Sequence, residues 1–144
     1  EPWRFEVLEG EHKVILGEFI LEYYKTKWTK EEFPESRYED VLVYPHKATL
    51  ISIVFQRNTT TLPEWEELAG TSCAVQNLWL SLSEFGLVGY WDTSEAAIAY
   101  CESLGLEENE RSLGIFYLGY PDPHTPTPTS KRQKLSKKLS WNNL

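Results

Sequence analysis

One apolar run constrains the fold of this chain more than any other feature of its sequence. The run covers residues 48–55, is rich in isoleucine, valine and leucine, and follows Pro45. A short run without polar alternation is typical of a strand that is buried on both faces. The sequence therefore predicts a central strand with other elements packed above and below it.

Strand-like and helix-like segments alternate on either side of that run. Further strands are predicted over residues 3–8 and 113–120, and residues 87–91 are expected to form a short strand or a loop. Helices are predicted over residues 14–28, 63–85 and 95–104, and residues 29–44 are expected to form a loop with a short helix. The first strand places Trp3, Phe5 and Val7 on one face, while Gly86 and Gly105 are suited to end helices. This alternation indicates an α/β or α+β fold with a mixed sheet, and 144 residues suit one domain.

Charge divides the chain into an acidic body and a basic tail. Residues 1–121 hold 9 basic and 21 acidic side chains, whereas residues 122–144 hold 5 basic side chains and only Asp122. The acidic body argues against nucleic acid as a partner, because binding to phosphate backbones needs a basic face. The tail is open to two interpretations. It is either a solvated segment or a segment that meets an anion or an acidic neighbouring surface.

Several classes of protein are disfavoured by the sequence. No apolar stretch approaches the ~18–20 residues that span a bilayer, so no membrane partner is expected. Cys73 and Cys101 lie in apolar helical patterns, which predicts two buried, reduced thiols and a cytoplasmic protein. The three histidines, His12, His46 and His124, are too scattered to predict a metal site.

Side chains for acid–base or nucleophilic catalysis are not recognisable, so we predict no catalytic residue. A chain of this kind can leave the chemistry to a cofactor. Small residues at 69–72 and 74 sit near the middle of the predicted helix over 63–85. They predict either a tight helix crossing or the close approach of a flat ligand. The aromatic load, with 6 Trp and 8 Tyr, and the basic tail are compatible with a flat anionic cofactor.

Five segments, taken together and in order, resemble the nitroreductase family of flavin enzymes. They are residues 1–5 (Glu-Pro-Trp-Arg-Phe), residues 69–78 ending in Gln-Asn-Leu, residues 85–91 (Phe-Gly-Leu-Val-Gly-Tyr-Trp), residues 118–121 (Leu-Gly-Tyr-Pro) and residues 131–135 (Lys-Arg-Gln-Lys-Leu) followed by Trp141. Lys134 stands where proline is usual in the family. The resemblance spans nearly the whole chain.

The resemblance implies an α+β fold in which helices flank a mixed or antiparallel sheet and two subunits intertwine as a homodimer. It implies that FMN is the cofactor and NAD(P)H the hydride donor. Hydride would pass through flavin N5 to a small-molecule electron acceptor, such as a nitroaromatic or quinone. It divides the chain into a core, residues 1–121, and a Pro-rich then basic tail, residues 122–144, that packs on the partner subunit.

The same resemblance assigns six residues to the cofactor. Four match the loop that contacts the flavin ring, partly through backbone groups: Trp91, Asp92, Thr93 and Ser94. Lys131 and Arg132 match the tail cations that grip the FMN phosphate, and a guanidinium suits that contact. The competing interpretations are core or interface packing for Trp91 and a solvated charge for Arg132. A carboxylate at position 92 would disfavour an anionic flavin ring.

The chain also departs from the family pattern. It begins at Glu1, where the family has a Gln, and without the family's Arg-x-Ser helix and the Asn-rich loop that follows. We therefore expect that residues precede Glu1 or that the chain was processed. With those elements truly lacking, FMN would be held from one side only. That favours the alternative of a non-catalytic flavin-binding or degenerate dimer module, and a small interaction domain unrelated to flavins is a third hypothesis.

Overall fold

The structure, a computed structural model, describes residues 1–58, 62–126 and 129–142. Within these ranges the strands are β1 (Trp3–Leu8), β2 (Thr49–Gln56), β3 (Val88–Asp92) and β4 (Glu110–Gly119). The helices are α1 (His12–Lys27), α2 (Tyr38–Lys47), α3 (Glu64–Ser81) and α4 (Glu95–Ser103), with 3₁₀ turns at Glu35–Arg37, Leu82–Phe85 and Leu135–Lys137. No helix in the described part of the chain is both long enough and apolar enough to cross a membrane.

The four strands form one sheet in the order β1-β2-β4-β3, and all of its described pairings are antiparallel. The side chains of residues 50–55 in β2 are at most 8% exposed, which confirms the central, doubly covered strand. The α+β class is also confirmed. Of the two sheet types left open by the sequence, the antiparallel one is present.

Helices α1 and α4 cover one face of the sheet. Leu16 and Ile20 of α1 lie one turn apart and point at the sheet, where Leu50 and Ile115 are fully buried. Tyr100 of α4 completes this cluster. Leu16 and Ile20 are spaced by about one helical turn, so both meet the sheet, while Val14 and Ile15 of the same helix are exposed.

Helix α3 covers the opposite face, over β2 and β4. Val75 and Leu82, the latter in the following 3₁₀ turn, pack with Ile51, Ile53 and Phe116. The chain leaves this region at Gly86, which has a φ of 66° and ends the helical segment as predicted.

Cys73 corrects one expectation. Its side chain is exposed, whereas Cys101 is buried as predicted. The buried stripe of α3 runs through Glu67, Thr71 and Val75. Cys73 lies two positions, or about 200°, from that stripe and faces outward.

Helix α2 is a second difference, because it ends beyond the segment in which a short helix was expected. It continues through Pro45, which is fully buried in its last turn. A proline at this position removes one backbone hydrogen bond, and its ring crowds the carbonyl group one turn earlier. Burial of the Pro45 ring favours the helical course there.

β1 lies at the edge of the sheet and keeps part of its apolar face uncovered. Trp3, Phe5 and Val7 share a face, as predicted, but Val7 is 55% exposed. Helix α3 reaches the first residues of β1, where Trp3 and Phe5 share a groove with it, and leaves Val7 uncovered.

An ion pair ties β1 to β4 across the sheet. The Arg4 guanidinium donates from Nε and Nη2 to the two carboxylate oxygens of Glu110, each at 2.8 Å. Glu110 also accepts from the backbone N–H of Glu107 at 3.1 Å, and Arg4 has a second, exposed partner in Glu6. The Glu110 side chain is only 2% exposed, so solvent screens its carboxylate little.

Candidate functional site

Residues 91–94 run from the end of the edge strand β3 into the start of helix α4. Trp91 and Asp92 end β3, Thr93 follows, and Ser94 is the N-cap of α4. The Ser94 hydroxyl accepts from the backbone N–H of Ala97 at 3.3 Å. The four residues that the family resemblance assigns to the flavin ring therefore lie on a strand end and a capped helix start.

The Trp91 side chain packs in the core. Its indole lies partly buried against the cluster beneath α3, and Nε1 donates to the Leu113 carbonyl oxygen at 2.8 Å. This geometry matches the packing interpretation of the Trp91 side chain.

Asp92 shapes the connection through its carboxylate. Oδ1 accepts from the backbone N–H of Ser94 at 2.9 Å, an arrangement that fixes a tight turn. Burial, with the Asp92 carboxylate and other groups adding to it, raises the pKa of Tyr117 well above the ordinary range. Tyr117 is therefore a neutral phenol at physiological pH.

A cavity of about 780 Å³ lies beside this turn, between α1, α2 and the strands β3 and β4. Asp92 and Ser94 contribute to its wall, and so do Arg37 and Lys47. Aromatic side chains from several parts of the chain also line the cavity. They are Tyr24, Trp28, Phe33, Tyr44, Tyr90, Tyr117 and Tyr120. Its volume is in the range of small-molecule and cofactor sites.

Sequence reasoning did not identify this aromatic lining as part of a site. Tyr24 and Trp28 lie in the helix predicted over residues 14–28, where their four-residue spacing indicates only that they share a face. Their rings lie 4.6 Å apart, and Phe33 is 4.7 Å from Tyr24. The high aromatic content of the sequence was the only signal of such a site, and composition does not indicate which aromatic rings lie close together in the fold.

Lys131 and Arg132 are exposed in the described part of the tail, and neither lines the cavity. The structure does not bring them together with residues 91–94. The prediction for these two cations stays untested. Pro128 and the last two residues of the tail lie outside the described residues.

The small-residue stretch of α3 lies beside β1. Thr71 donates from Oγ1 to the Pro2 carbonyl oxygen at 2.9 Å, and a Cβ added at Gly70 would lie 3.5 Å from the Pro2 ring. A second, more open cavity of about 650 Å³ follows this stretch and is lined by Phe5, Cys73 and neighbouring residues. The small side chains therefore permit close approach of a strand within this chain and leave a groove next to it.

In the part of the chain that the structure describes, no three His, Cys, Asp or Glu side chains cluster in a way that could hold a metal ion.

Comparison with known proteins decides the family. The sequence profile described as "Nitroreductase family" matches residues 1–120, most of the chain. The chain belongs to the Nitroreductase family. A Bacillus subtilis (strain 168) relative, YfhC, which is provisionally named an NAD(P)H nitroreductase, is 30% identical over 132 residues. That alignment covers 85% of this chain and 64% of YfhC, so the chain spans just under two thirds of that relative's length.

Solved structures of the same family share the fold. The crystal structure of a Nitroreductase-like family protein from Bacillus cereus has a TM-score of 0.69 and 23% identity, with 96% of this chain and 72% of that chain covered. The FMN-dependent nitroreductase NfnB from Mycobacterium smegmatis, solved in complex with NADPH, has a TM-score of 0.70 and 16% identity, covering 99% and 79%. The Nitroreductase fold expected from the five sequence segments is thereby confirmed.

Proposed function

We propose that this chain is the core of an FMN-dependent NAD(P)H oxidoreductase of nitroreductase type. Its acceptors would be small aromatic molecules such as nitroaromatics or quinones. The observation that carries the proposal is the aromatic-lined cavity of about 780 Å³ that adjoins Asp92 and Ser94 in a chain of this family. The free thiols of Cys73 and Cys101 suit the cytoplasm, where such a protein would act.

The residues at the cavity fit a flat cofactor in size and chemistry. Aromatic side chains can stack on a conjugated ring, and a volume of about 780 Å³ is in the range of cofactor sites. The backbone at Trp91 and Thr93 and the wall residues Asp92 and Ser94 would hold the flavin ring. Lys131 and Arg132, exposed in the tail and outside this cavity, would hold the phosphate by charge-assisted hydrogen bonds when the tail reaches across the partner subunit.

FMN supplies the redox chemistry of such a site when it is bound. The residues of this chain would bind FMN and orient its ring. The turn held by Asp92 fixes the backbone of residues 92–94 beside the cavity, and Tyr117 contributes an uncharged phenol to the lining. One carboxylate oxygen of Asp92 accepts a hydrogen bond from the Ser94 N–H. This bond partly compensates the negative charge of Asp92 beside the place where the ring would lie.

The homodimer and the tail belong to the same proposal. Val7 on β1 and Trp141 in the tail are exposed apolar side chains, 55% and 84% accessible. The groove between β1 and α3 is bordered by the small residues Gly70 and Ala74. A second copy that packs there, with residues 122–144 reaching across it, would cover these surfaces.

Purified full-length protein tests the proposal directly. We expect a yellow protein whose visible spectrum shows bound flavin, and oxidation of NADH or NADPH that depends on an added nitroaromatic or quinone. Arg132→Ala should raise the Kd for FMN about tenfold, the loss of one charge-assisted contact. The matched control is Lys138→Ala, a tail cation outside the predicted phosphate site, which should leave the Kd unchanged.

Two results would point elsewhere. A colourless protein that does not bind FMN in a titration would refute the proposal. Bound FMN without any turnover of NADH or NADPH would favour the non-catalytic flavin-binding module instead.

A further inference from the structure

The strand β4 contains a bulge directly beneath the predicted flavin-contact segment, residues 91–94. Ser52 of β2 pairs with Ile115, whereas Val54 pairs with Ser112. Two residues of β4, positions 113 and 114, therefore stand opposite one residue of β2. Gly114 has a φ of 96°, a backbone conformation that residues with a Cβ rarely adopt. Bulges of this kind redirect a strand locally and alter what the neighbouring backbone can reach.

Both bulge residues contact the flavin-contact segment. The Leu113 carbonyl oxygen accepts from Trp91 Nε1 at 2.8 Å. A Cβ added at Gly114 would overlap the Asp92 carbonyl oxygen and would lie 3.1 Å from its carbon and 3.2 Å from Thr93 Cα. The backbone of residues 92 and 93 thus rests on a position where only a hydrogen fits.

The bulge is itself held in place by buried polar groups. The Gly114 N–H donates to Ser112 Oγ at 3.0 Å, and Cys101 Sγ lies 3.9 Å from the Gly114 carbonyl oxygen. Ser112 is 5% exposed and Cys101 is 1% exposed. Because both backbone groups of Gly114 have partners in a dry environment, the bulge cannot easily shift to accommodate a side chain.

Residues 92–94, which lie against the bulge, cannot easily move either. Asp92 Oδ1 accepts from the Ser94 N–H, and Ser94 caps α4. A shift at Asp92 and Thr93 would therefore move the turn and the first residues of α4 together.

From this geometry we infer that Gly114 is a positioning residue for the flavin-contact segment: its missing side chain sets how deeply the backbone of Asp92 and Thr93 sits against the sheet. The inference rests on the proposed function, since it takes residues 91–94 as the part of the chain that meets FMN. A bound ring needs its contacts fixed to within about 0.5 Å, so a displaced segment weakens binding.

Gly114→Ala is the test, with Gly105→Ala as the matched control. Gly105 has a φ of 91°, nearly that of Gly114, but nothing lies within 4 Å of an added Cβ. Both variants therefore introduce similar backbone strain, and only Gly114→Ala presses on Asp92 and Thr93. Three quantities are measured in the full-length protein: the urea midpoint, amide hydrogen exchange over residues 92–97 without FMN, and the Kd and visible spectrum with FMN.

We expect both variants to lower the urea midpoint. Only Gly114→Ala should speed amide exchange over residues 92–97, raise the Kd for FMN about tenfold or more and shift the visible spectrum of the bound flavin. Unchanged exchange in Gly114→Ala would overturn the inference, and so would faster exchange with an unchanged Kd. Equal losses of FMN affinity in both variants would reduce the role of Gly114 to general stability and would also overturn it.

The unaltered protein separates this inference from the function on which it rests. If the unaltered protein binds no FMN, the proposed function fails and the inference fails with it. If the unaltered protein binds FMN and Gly114→Ala binds it equally well, only the inference fails.

Discussion

The Arg4–Glu110 pair offers the sharpest test of how the sheet is held together. Glu110→Gln keeps the shape of the side chain but removes the charge that faces Arg4 through two 2.8 Å hydrogen bonds. A fully buried pair broken at one partner costs about 3–5 kcal/mol, and an exposed pair about 0.2–1 kcal/mol. Here the Glu110 side chain is 2% exposed and that of Arg4 is 38% exposed, so solvent screens one end.

We therefore expect Glu110→Gln to lower the free energy of unfolding by about 2 kcal/mol, between those two limits. For a domain of this size that corresponds to a decrease in Tm of about 4–8 °C. Glu6→Gln is the matched control, because Glu6 pairs with the same guanidinium at 3.1 Å but is half exposed. It should cost only a few tenths of a kcal/mol.

The effect of Glu110→Gln should also depend on pH. Hydrogen bonds from Arg4, with the backbone N–H of Glu107 adding to them, hold the pKa of Glu110 below its ordinary value of 4.5. A carboxyl group whose pKa is lower in the folded state stabilises the protein above its unfolded pKa. That contribution disappears as the pH falls through the folded pKa.

Urea unfolding of the two variants and the unaltered protein at pH 7, and at steps down to about pH 3, measures both effects. The difference between Glu110→Gln and the unaltered protein should be constant above about pH 5 and shrink below it. Equal stability of Glu110→Gln and Glu6→Gln at pH 7, or a difference that does not change with pH, would refute this account of the pair.

Three further predictions concern packing, thiol chemistry and the turn at the site. Gly89→Ala should cost about 1–3 kcal/mol in a urea titration, because its Cβ would lie 2.5 Å from Cζ of the Phe116 ring, and unchanged stability would contradict that packing. Cys73 should react with a thiol reagent in the native protein, whereas Cys101, with its pKa raised by burial, should react only after unfolding. Ser94→Ala removes the N-cap of α4 and should lower the free energy of unfolding by about 1 kcal/mol. A lower midpoint in urea and faster amide hydrogen exchange in α4 would show this loss.

Much of the fold was accessible from local patterns. The apolar run over residues 48–55 predicted β2, and the four-residue spacing of Leu16 and Ile20 predicted α1. Positions with special backbone requirements were also readable, since Gly86 ends the helical segment as expected. These features depend on residues close together in the sequence, so the sequence carries their signal directly.

Burial was harder to predict where it depends on what lies above a side chain. Cys73 has an apolar helical surrounding in the sequence, yet it faces outward because the stripe of α3 that meets the sheet runs through Thr71 and Val75. Val7 follows the alternation of a half-buried strand, yet it is 55% exposed because α3 reaches the first residues of β1 and does not cover Val7. Periodicity indicates that an element has two faces and does not say how far its neighbour reaches.

From the sequence by itself, apolar periodicity determined that strands and helices alternate, and the resemblance of five short motifs implied the α+β fold of the Nitroreductase family. Neither signal needs spatial information. Only the tertiary structure decided that aromatic rings from α1, α2, β3 and β4 surround one cavity beside Asp92 and Ser94. It alone placed Gly114 against the backbone of Asp92, 22 positions away. The physical reason is that such contacts depend on strand register and helix packing, which are set by the whole chain at once.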